Sequence, residues 1–298
     1  TPIKSSAASD VYKRQIHIIL ILLAAVCIIP LLLVVGISFT DEQSLMSSGY
    51  NLIPKVFSLD AYKYVFTGAA SVGRAYLVTI VVTVAGTAGH LLFMSMLAYG
   101  LTREEVTARN KISFFVYLPV LFNAGLVPTY MLFTRTLHLK NTIWVLILIS
   151  IASSTNVLIL KNFFSTIPKS LIESARIDGS SEFRTFFTIV LPLSKPSLAS
   201  IGLFVAIAYW NDWLTCSLYI ETPKLQTLQY LLQSLMNNIA YLQANAGASA
   251  SMEAAIANLP SESARMATCV LAVGPIIFLY PFLQKYFEKG LTIGAVKE

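Results

Sequence analysis

Few side chains in this sequence can do chemistry, and the densest group of them lies in one polar stretch, from Ile167 to Pro192. It carries Lys169, Glu173, Arg176, Asp178, Glu182 and Arg184 among serines and threonines, between two strongly apolar runs. Ser170 and Glu173 have capping-box spacing, so Ser170 is expected to cap one short helix while Glu173 reaches back to its amide. Gly179 stands where that helix should stop, because a left-handed residue costs glycine little. Ser180 or Ser181 can start a second helix, with Glu182 near its positive end. Pro192 and Pro196 then interrupt it. The chemistry on offer is recognition: ion pairs and hydrogen bonds on a compact helix–turn–helix knob. No Gly-rich loop ends in Gly-Lys-Ser or Gly-Lys-Thr, so the chain is not expected to bind ATP. No His/Cys/carboxylate cluster or nucleophile elbow points to catalysis or to a metal site.

The elements that hold this knob must be membrane helices. The 298 residues are 56% hydrophobic and 12% charged, where soluble domains carry about 25% charged residues. The fold class expected is all-α: six transmembrane helices in one domain over 16–298, spanning about 16–37, 73–100, 112–133, 142–164, 197–220 and 265–282. The knob occupies the loop 165–196. Residues 221–264 form an outer loop with an amphipathic run from Leu225 to Leu242. Gly86, Ala88 and Gly89 should let another helix approach span two closely. Pro119 and Pro128 should kink span three, and Gly274-Pro275 should break span six. Tyr50, Phe57, Tyr62, Tyr64 and Phe66 suit a loop lying against the bilayer interface. Cys27, Cys216 and Cys269 read as buried small hydrophobes. Residues 1–15 are set aside: Asp10 to Gln15 resembles a translated transposon-end adapter, with a short basic cytoplasmic tail as the other reading.

Charge sets the orientation. With the N-terminus inside, inner segments hold fourteen Lys and Arg and outer segments seven. Without the first fifteen residues the count is eleven to seven. That bias places both termini and the knob in the cytoplasm. The net charge of +6 then reflects cytoplasmic loops, not binding to nucleic acid.

Polar groups inside the spans are scarce. Carriers driven by protons or sodium bury carboxylates or histidines along their path; here the clear cases are Asp212 and His90. The histidine reads as a packed, hydrogen-bonded residue. Asn211 and Asp212, flanked by Trp210 and Trp213, suit a sugar, whose hydroxyls take hydrogen bonds and whose ring faces lie on aromatics. They suit equally a hydrogen bond to a neighbouring span. Asn156, beside Ser153, Ser154 and Thr155, is a second patch that either lines a pathway or joins helices. If the chain transports a solute, its energy must therefore come from a partner, and the knob is the expected contact.

Within the knob, Glu173, Ala175, Gly179, Ile189, Leu191 and Pro192 resemble, in type and spacing, the EAA loop of permeases in binding-protein-dependent ABC importers. Ser174 stands where that pattern has its second residue, a small-for-small change. The segments Asn51 to Lys55, Phe57 to Tyr62, Asn123 to Tyr130, Ala208 to Trp213 and Lys289 to Lys297 resemble carbohydrate permeases of the maltose-permease type, especially the branch grouped with the lipoprotein/polysaccharide permease C component.

The resemblance implies a type I importer half in the bacterial cytoplasmic membrane. Its implied partners are a second, homologous permease subunit, two ATPase subunits that carry the ATP and magnesium, an extracellular sugar-binding protein and membrane lipid. It implies that Glu173, Ser174, Ala175, Arg176, Asp178 and Gly179 form the ATPase-coupling surface. Glu173 would fix the knob helix, while Ala175 and Gly179 permit close docking. Sugars, oligosaccharides above all, would cross by alternating access. A permease for a non-sugar solute and an ion-coupled secondary carrier remain as alternatives.

Overall fold

The computed structural model describes residues 3–68, 72–122, 124–244 and 262–277. These are helical apart from turns, short loops and one isolated bridge between Thr40 and Phe57. The helices are α1 (Ile3–Ser38), α2 (Glu42–Ser48), α3 (Asp60–Gly68), α4 (Val72–Thr102), α5 (Arg109–Leu121), α6 (Leu126–Met131), α7 (Ile143–Leu148), α8 (Ser154–Phe164), α9 (Lys169–Ile177), α10 (Glu182–Thr185), α11 (Leu191–Leu193), α12 (Lys195–Asn211), α13 (Leu214–Tyr219) and α14 (Leu228–Ala244); residues 262–277 form α15. Wider π turns extend α6 through Thr136 and join α10 to α11.

The chain divides into two compact units, one drawn from residues 1–70 and 234–274, the other from 71–233 and 275–298. In the first, α1 is a long apolar helix with almost its whole surface exposed. Its end is held where the Ser38 hydroxyl lies 2.9 Å from the Tyr62 hydroxyl and Phe39 stacks on Phe57 and Tyr62. The Glu42 carboxylate accepts the backbone N–H groups of Glu262 and Ser263, capping α15. Tyr50, Phe57 and Phe66 are exposed, as an interfacial loop requires.

The second unit is organised on α4. Its thirty-one residues reach about 46 Å at 1.5 Å per residue. It packs on α12 and α8 around Val82, Met94, Ala98, Leu160, Val157 and Val205. Gly86 is what lets α12 come so close: a Cβ there would lie 2.6 Å from the Tyr209 ring. That ring cannot swing aside freely, because its hydroxyl donates to the Ile147 carbonyl at 2.7 Å. Gly89 faces Ile151, whereas Ala88 is exposed and takes no part in the contact. Gly86→Leu is expected to wedge α12 from α4 at a cost of about 1–3 kcal/mol, read as a lower melting temperature of the detergent-solubilised protein. Gly73→Ala, where nothing lies within 4 Å of the added carbon, is expected to leave that temperature alone.

Several expected helices are interrupted. Span two runs unbroken as α4, and Tyr12–Ser38 and Val72–Thr102 are, among the described residues, the two single helices long and apolar enough to cross a membrane. Span three is split into α5 and α6, and the split falls between Phe122 and Gly125, where Gly125 has φ +85°, not at Pro119 or Pro128. Span four is split into α7 and α8, because Ser153 leaves the helix and its hydroxyl caps the Asn156 amide. Span five is split at Asp212, whose carboxylate accepts the Thr215 amide at 3.0 Å. Short polar side chains that satisfy backbone donors compete with helix continuation. In α15 the reverse holds: the helix runs through Gly274-Pro275 to residue 277, the last described residue of that segment. Residues 278–282 and the Lys289 to Lys297 segment lie outside the described residues, as do 245–261. The N-terminal stretch set aside on sequence grounds is helical from Ile3. Cys216 is buried as expected, but Cys27 and Cys269 are exposed on outward helix faces.

Candidate functional site

The polar knob is built as two helices around a glycine. α9 starts at Lys169 behind Pro168, two residues earlier than capping by Ser170 would require, and no side chain caps it. Ser170 lies inside the first turn, so the capping box with Glu173 is not formed: Pro168 holds the N-cap position, and its carbonyl accepts the Leu171 amide at 3.2 Å. The end is as expected. Asp178 is the C-cap, Gly179 follows with φ +77°, and the Ser180 amide donates back to the Ala175 carbonyl at 2.9 Å. Ser181 then caps α10, its hydroxyl accepting the Arg184 amide. The segment Glu182–Leu193 turns by 81° into α12; the break lies at Ser194, between Pro192 and Pro196.

One face of the knob is turned inward and one outward. Ile172, Ala175, Phe186 and Val190 are buried. Ala175 therefore packs against its own chain and is not available as a docking surface. Leu171, Ile177 and Phe183 point out, Ile177 at 86% exposure, beside exposed Ser174 and Asp178. Gly179 is exposed with nothing within 4 Å of where a Cβ would go, so its role in the chain itself is conformational.

What holds the knob is Arg176, not Glu173. The Arg176 guanidinium donates to Glu182 Oε1 from Nε at 2.9 Å and from Nη2 at 2.6 Å, and from Nη1 to Glu105. The other Glu182 oxygen accepts from the Tyr99 hydroxyl at 2.6 Å, with Arg103 3.5 Å away. Lys169 pairs with Glu104 at 2.5 Å. So the short loop after α4, residues 103–108, grips α9, and Glu182 ties α10 to the end of α4. Glu173 is exposed on the rim of a cleft of about 410 Å³ formed by that loop, α8 and α9. The signal for this clamp was present in the sequence as Arg103, Glu104 and Glu105 clustered in one short loop, but sequence distance hid which charges they meet.

The clamp is acid-sensitive. Burial pushes Glu182 up, but the Tyr99 hydroxyl and the Arg176 guanidinium outweigh it and hold the carboxyl below 4.5. Its own backbone amide and Arg176 hold Glu105 below 4.5 as well. A carboxylate whose folded pKa lies below its unfolded value stabilises the fold above the unfolded value and loses that as pH falls through the folded one. The clamp is therefore expected to be whole at neutral pH and to loosen progressively below about pH 4.5. Hydrogen exchange of the α9–α10 amides against pH checks this; an unchanged protection ratio between acid and neutral conditions would refute it.

The intramembrane candidates fall apart into different roles. Asn156 Nδ2 meets His90 Nε2 at 2.9 Å, and His90 Nδ1 meets the Ser150 carbonyl at 2.9 Å. His90 is 2% exposed. The pair thus joins α4 to the α7–α8 break. Trp210 is buried, 6.3 Å between ring centres from Tyr76. Asn211 and Trp213 are exposed at the α12–α13 break, with Asn211 bonded to the Ile207 carbonyl and near Gln229. Of the quartet, Asn211 and Trp213 keep surface for a ligand, and Asp212 is spent on its cap. Among the described residues no group of His, Cys, Asp and Glu is arranged to hold a metal ion.

Comparison with known proteins places this arrangement. Residues 14–293 match the family described as the binding-protein-dependent transport system inner membrane component. The chain is 38% identical to the polygalacturonan/rhamnogalacturonan transport system permease protein YtcP of Bacillus subtilis, covering 96% of this chain and 98% of that one. It is 40% identical to protein LplC of the same organism, covering 92% and 90%. Among solved structures it resembles a chain of a bacterial ABC transporter involved in the import of the acidic polysaccharide alginate, with TM-score 0.78, 25% identity and coverage of 94% and 98%.

Proposed function

The chain belongs to the family of inner membrane components of binding-protein-dependent transport systems, and from that premise we propose that it is one permease half of an ATP-driven importer of oligosaccharides, coupled to its ATPase through the α9–α10 hairpin. The observation that carries this reading is the hairpin itself. It is a rigid, glycine-turned knob, clamped from behind by Arg176 and Glu182, that leaves Leu171, Ile177 and Phe183 uncovered. Exposed apolar groups rimmed by charge are what a partner protein covers. On this reading Ser174, Asp178 and Ile177 face the ATPase, and Arg176, Gly179 and Glu182 hold the shape that faces it. The hairpin and both termini are cytoplasmic. On the same reading the chain crosses the membrane six times over the spans expected from the sequence, the third, fourth and fifth made of broken helices. Irregular backbone at membrane depth is tolerated where it lines a cavity or is buried in protein, and the Asn211–Trp213 break is the candidate sugar contact.

ATP binds to separate ATPase subunits, and a binding protein delivers substrate from outside to a cavity shared with a second permease subunit. The sugar class is supported by the substrates in the relatives' names and by the exposed Trp213 beside Asn211. In the mechanism, ATP closes the ATPase pair, the hairpin moves, and α4 carries the motion towards the outer side as one long helix. The test is uptake of labelled oligogalacturonide by proteoliposomes holding the four membrane-bound subunits with binding protein outside. Uptake that requires enclosed ATP is the expected result. Uptake driven by a proton gradient with the ATPase subunits left out would overturn it in favour of a secondary carrier.

A further inference from the structure

The cleft beside α9 has more positive charge than its own carboxylates can neutralise. Five cations and three carboxylates line it, Glu173 among them; Lys169 pairs with Glu104, and Arg176 and Arg103 share Glu105. Arg109 and Lys161 are not paired in this way: both are half-buried, and neither has a carboxylate within 4.0 Å among the described residues. Lys161 Nζ reaches only the Ser113 hydroxyl, at 3.5 Å. Arg109 opens α5, whose first turn contains no acidic residue and whose N-cap, Ala108, supplies no capping side chain. The free amides of that turn add partial positive charge on the same side. Asn110 and Ser165 line the cleft with further donors, and the whole measures about 410 Å³.

Its position matters as much as its charge. The cleft lies where α5 begins and α8 ends, at the foot of two apolar helices. α5 buries none of its residues, and Ile112 and Phe115 on it are exposed. A ligand with an anionic head in the cleft could lay an apolar tail along α5. We propose that this cleft binds the phosphate headgroup of an anionic phospholipid from the inner leaflet, with Arg109 and Lys161 as its charge partners. This rests on the cytoplasmic placement of the hairpin proposed above. Half-buried cations left unpaired at a membrane edge are costly unless an anion comes to them, and the cytoplasmic leaflet supplies one. Because the same loop that opens the cleft also grips Arg176 through Glu105, a bound headgroup would stiffen the support behind the hairpin.

The experiment titrates phosphatidylglycerol into the detergent-solubilised importer complex and counts retained lipid by native mass spectrometry. Arg109→Gln with Lys161→Gln is expected to weaken retention roughly thirtyfold, taking about fivefold per cation at an anionic surface. Arg109→Lys with Lys161→Arg is expected to retain it, which separates lost charge from lost fold. Equal retention by wild type and the glutamine variant would overturn the proposal. So would displacement of the lipid by millimolar inorganic phosphate, since the site would then take a free anion. Loss of the ATPase subunits from the glutamine variant would overturn it too, assigning the cations to an acidic segment of that partner. Because the readout is lipid and not uptake, a complex that retains lipid through Arg109 and Lys161 yet moves no sugar would sink the transport reading and leave this one standing.

Discussion

Gly179→Val should leave a complex that assembles but converts little ATP hydrolysis into uptake. At φ +77° an L residue costs about 1–2 kcal/mol, and more for a β-branched one. The cost cannot be avoided by a small shift, because the turn is closed from both sides. The Gly179 amide donates to Arg176 and the Ser180 amide to Ala175, each at 2.9 Å. Rotating residue 179 to negative φ breaks the Ser180–Ala175 bond and swings α10, with Ser181 and Glu182, away from α9. There is no steric obstacle to the new side chain, since nothing lies within 4 Å, so the effect isolates backbone shape from packing. Sugar uptake in proteoliposomes is expected to fall at least about tenfold, as the loss of 1.4 kcal/mol in productive coupling would give. Membrane insertion should be unchanged. Gly179→Asn should be milder, because asparagine tolerates the left-handed region. Full sugar-stimulated hydrolysis and uptake in the valine variant would defeat the claim that this turn couples the two.

Glu182→Ala is expected to have the second large effect, by cutting the knob loose from α4. One carboxylate joins three elements: α10, which carries it; α9, through Arg176; and α4, through the Tyr99 hydroxyl. Tyr99 is 7% exposed, and leaving a buried hydroxyl without a partner costs about 1–3 kcal/mol. Arg176 keeps Glu105, so α9 should stay folded while α10 loosens. The expected signature is basal ATP hydrolysis that persists, uptake per ATP that falls several-fold, and faster hydrogen exchange in α10 than in α9. Tyr99→Phe removes one of the same bonds and should give a smaller change in the same direction. Equal exchange rates in wild type and Glu182→Ala would show that α10 is held by packing of Phe186 and Val190 alone.

The contrast between Glu173 and Arg176 shows where local reasoning stops. The capping box around Ser170 and Glu173 is a statement about near neighbours, and it lost to Pro168, which holds the N-cap position with no capping side chain. The Gly179 stop and the Ser181 cap are also local, and both form. Arg176 was expected on the coupling surface, with nothing to mark it as the residue that holds the hairpin. Its partners Glu105 and Glu182 stand on two different segments, and Glu105 is seventy-one residues away. The intramembrane polar groups divide in the same way. Asp212 and Ser153 end helices, a role their short side chains carry by themselves. Asn156 meets His90 only because α4 and α8 pack together.

Composition and hydropathy alone determined that this is a helical membrane chain, because burying so much apolar surface with so little charge has no soluble solution. The spacing of a few small and turn-forming residues determined that one polar hairpin, bent at Gly179, interrupts it. Which helices stay whole, which face of the hairpin is covered, and which distant carboxylates hold Arg176 were decided only in the packed structure. The reason is physical: a backbone turn is set by neighbours in sequence, whereas a buried face or an ion pair is set by whichever segments the fold brings within reach.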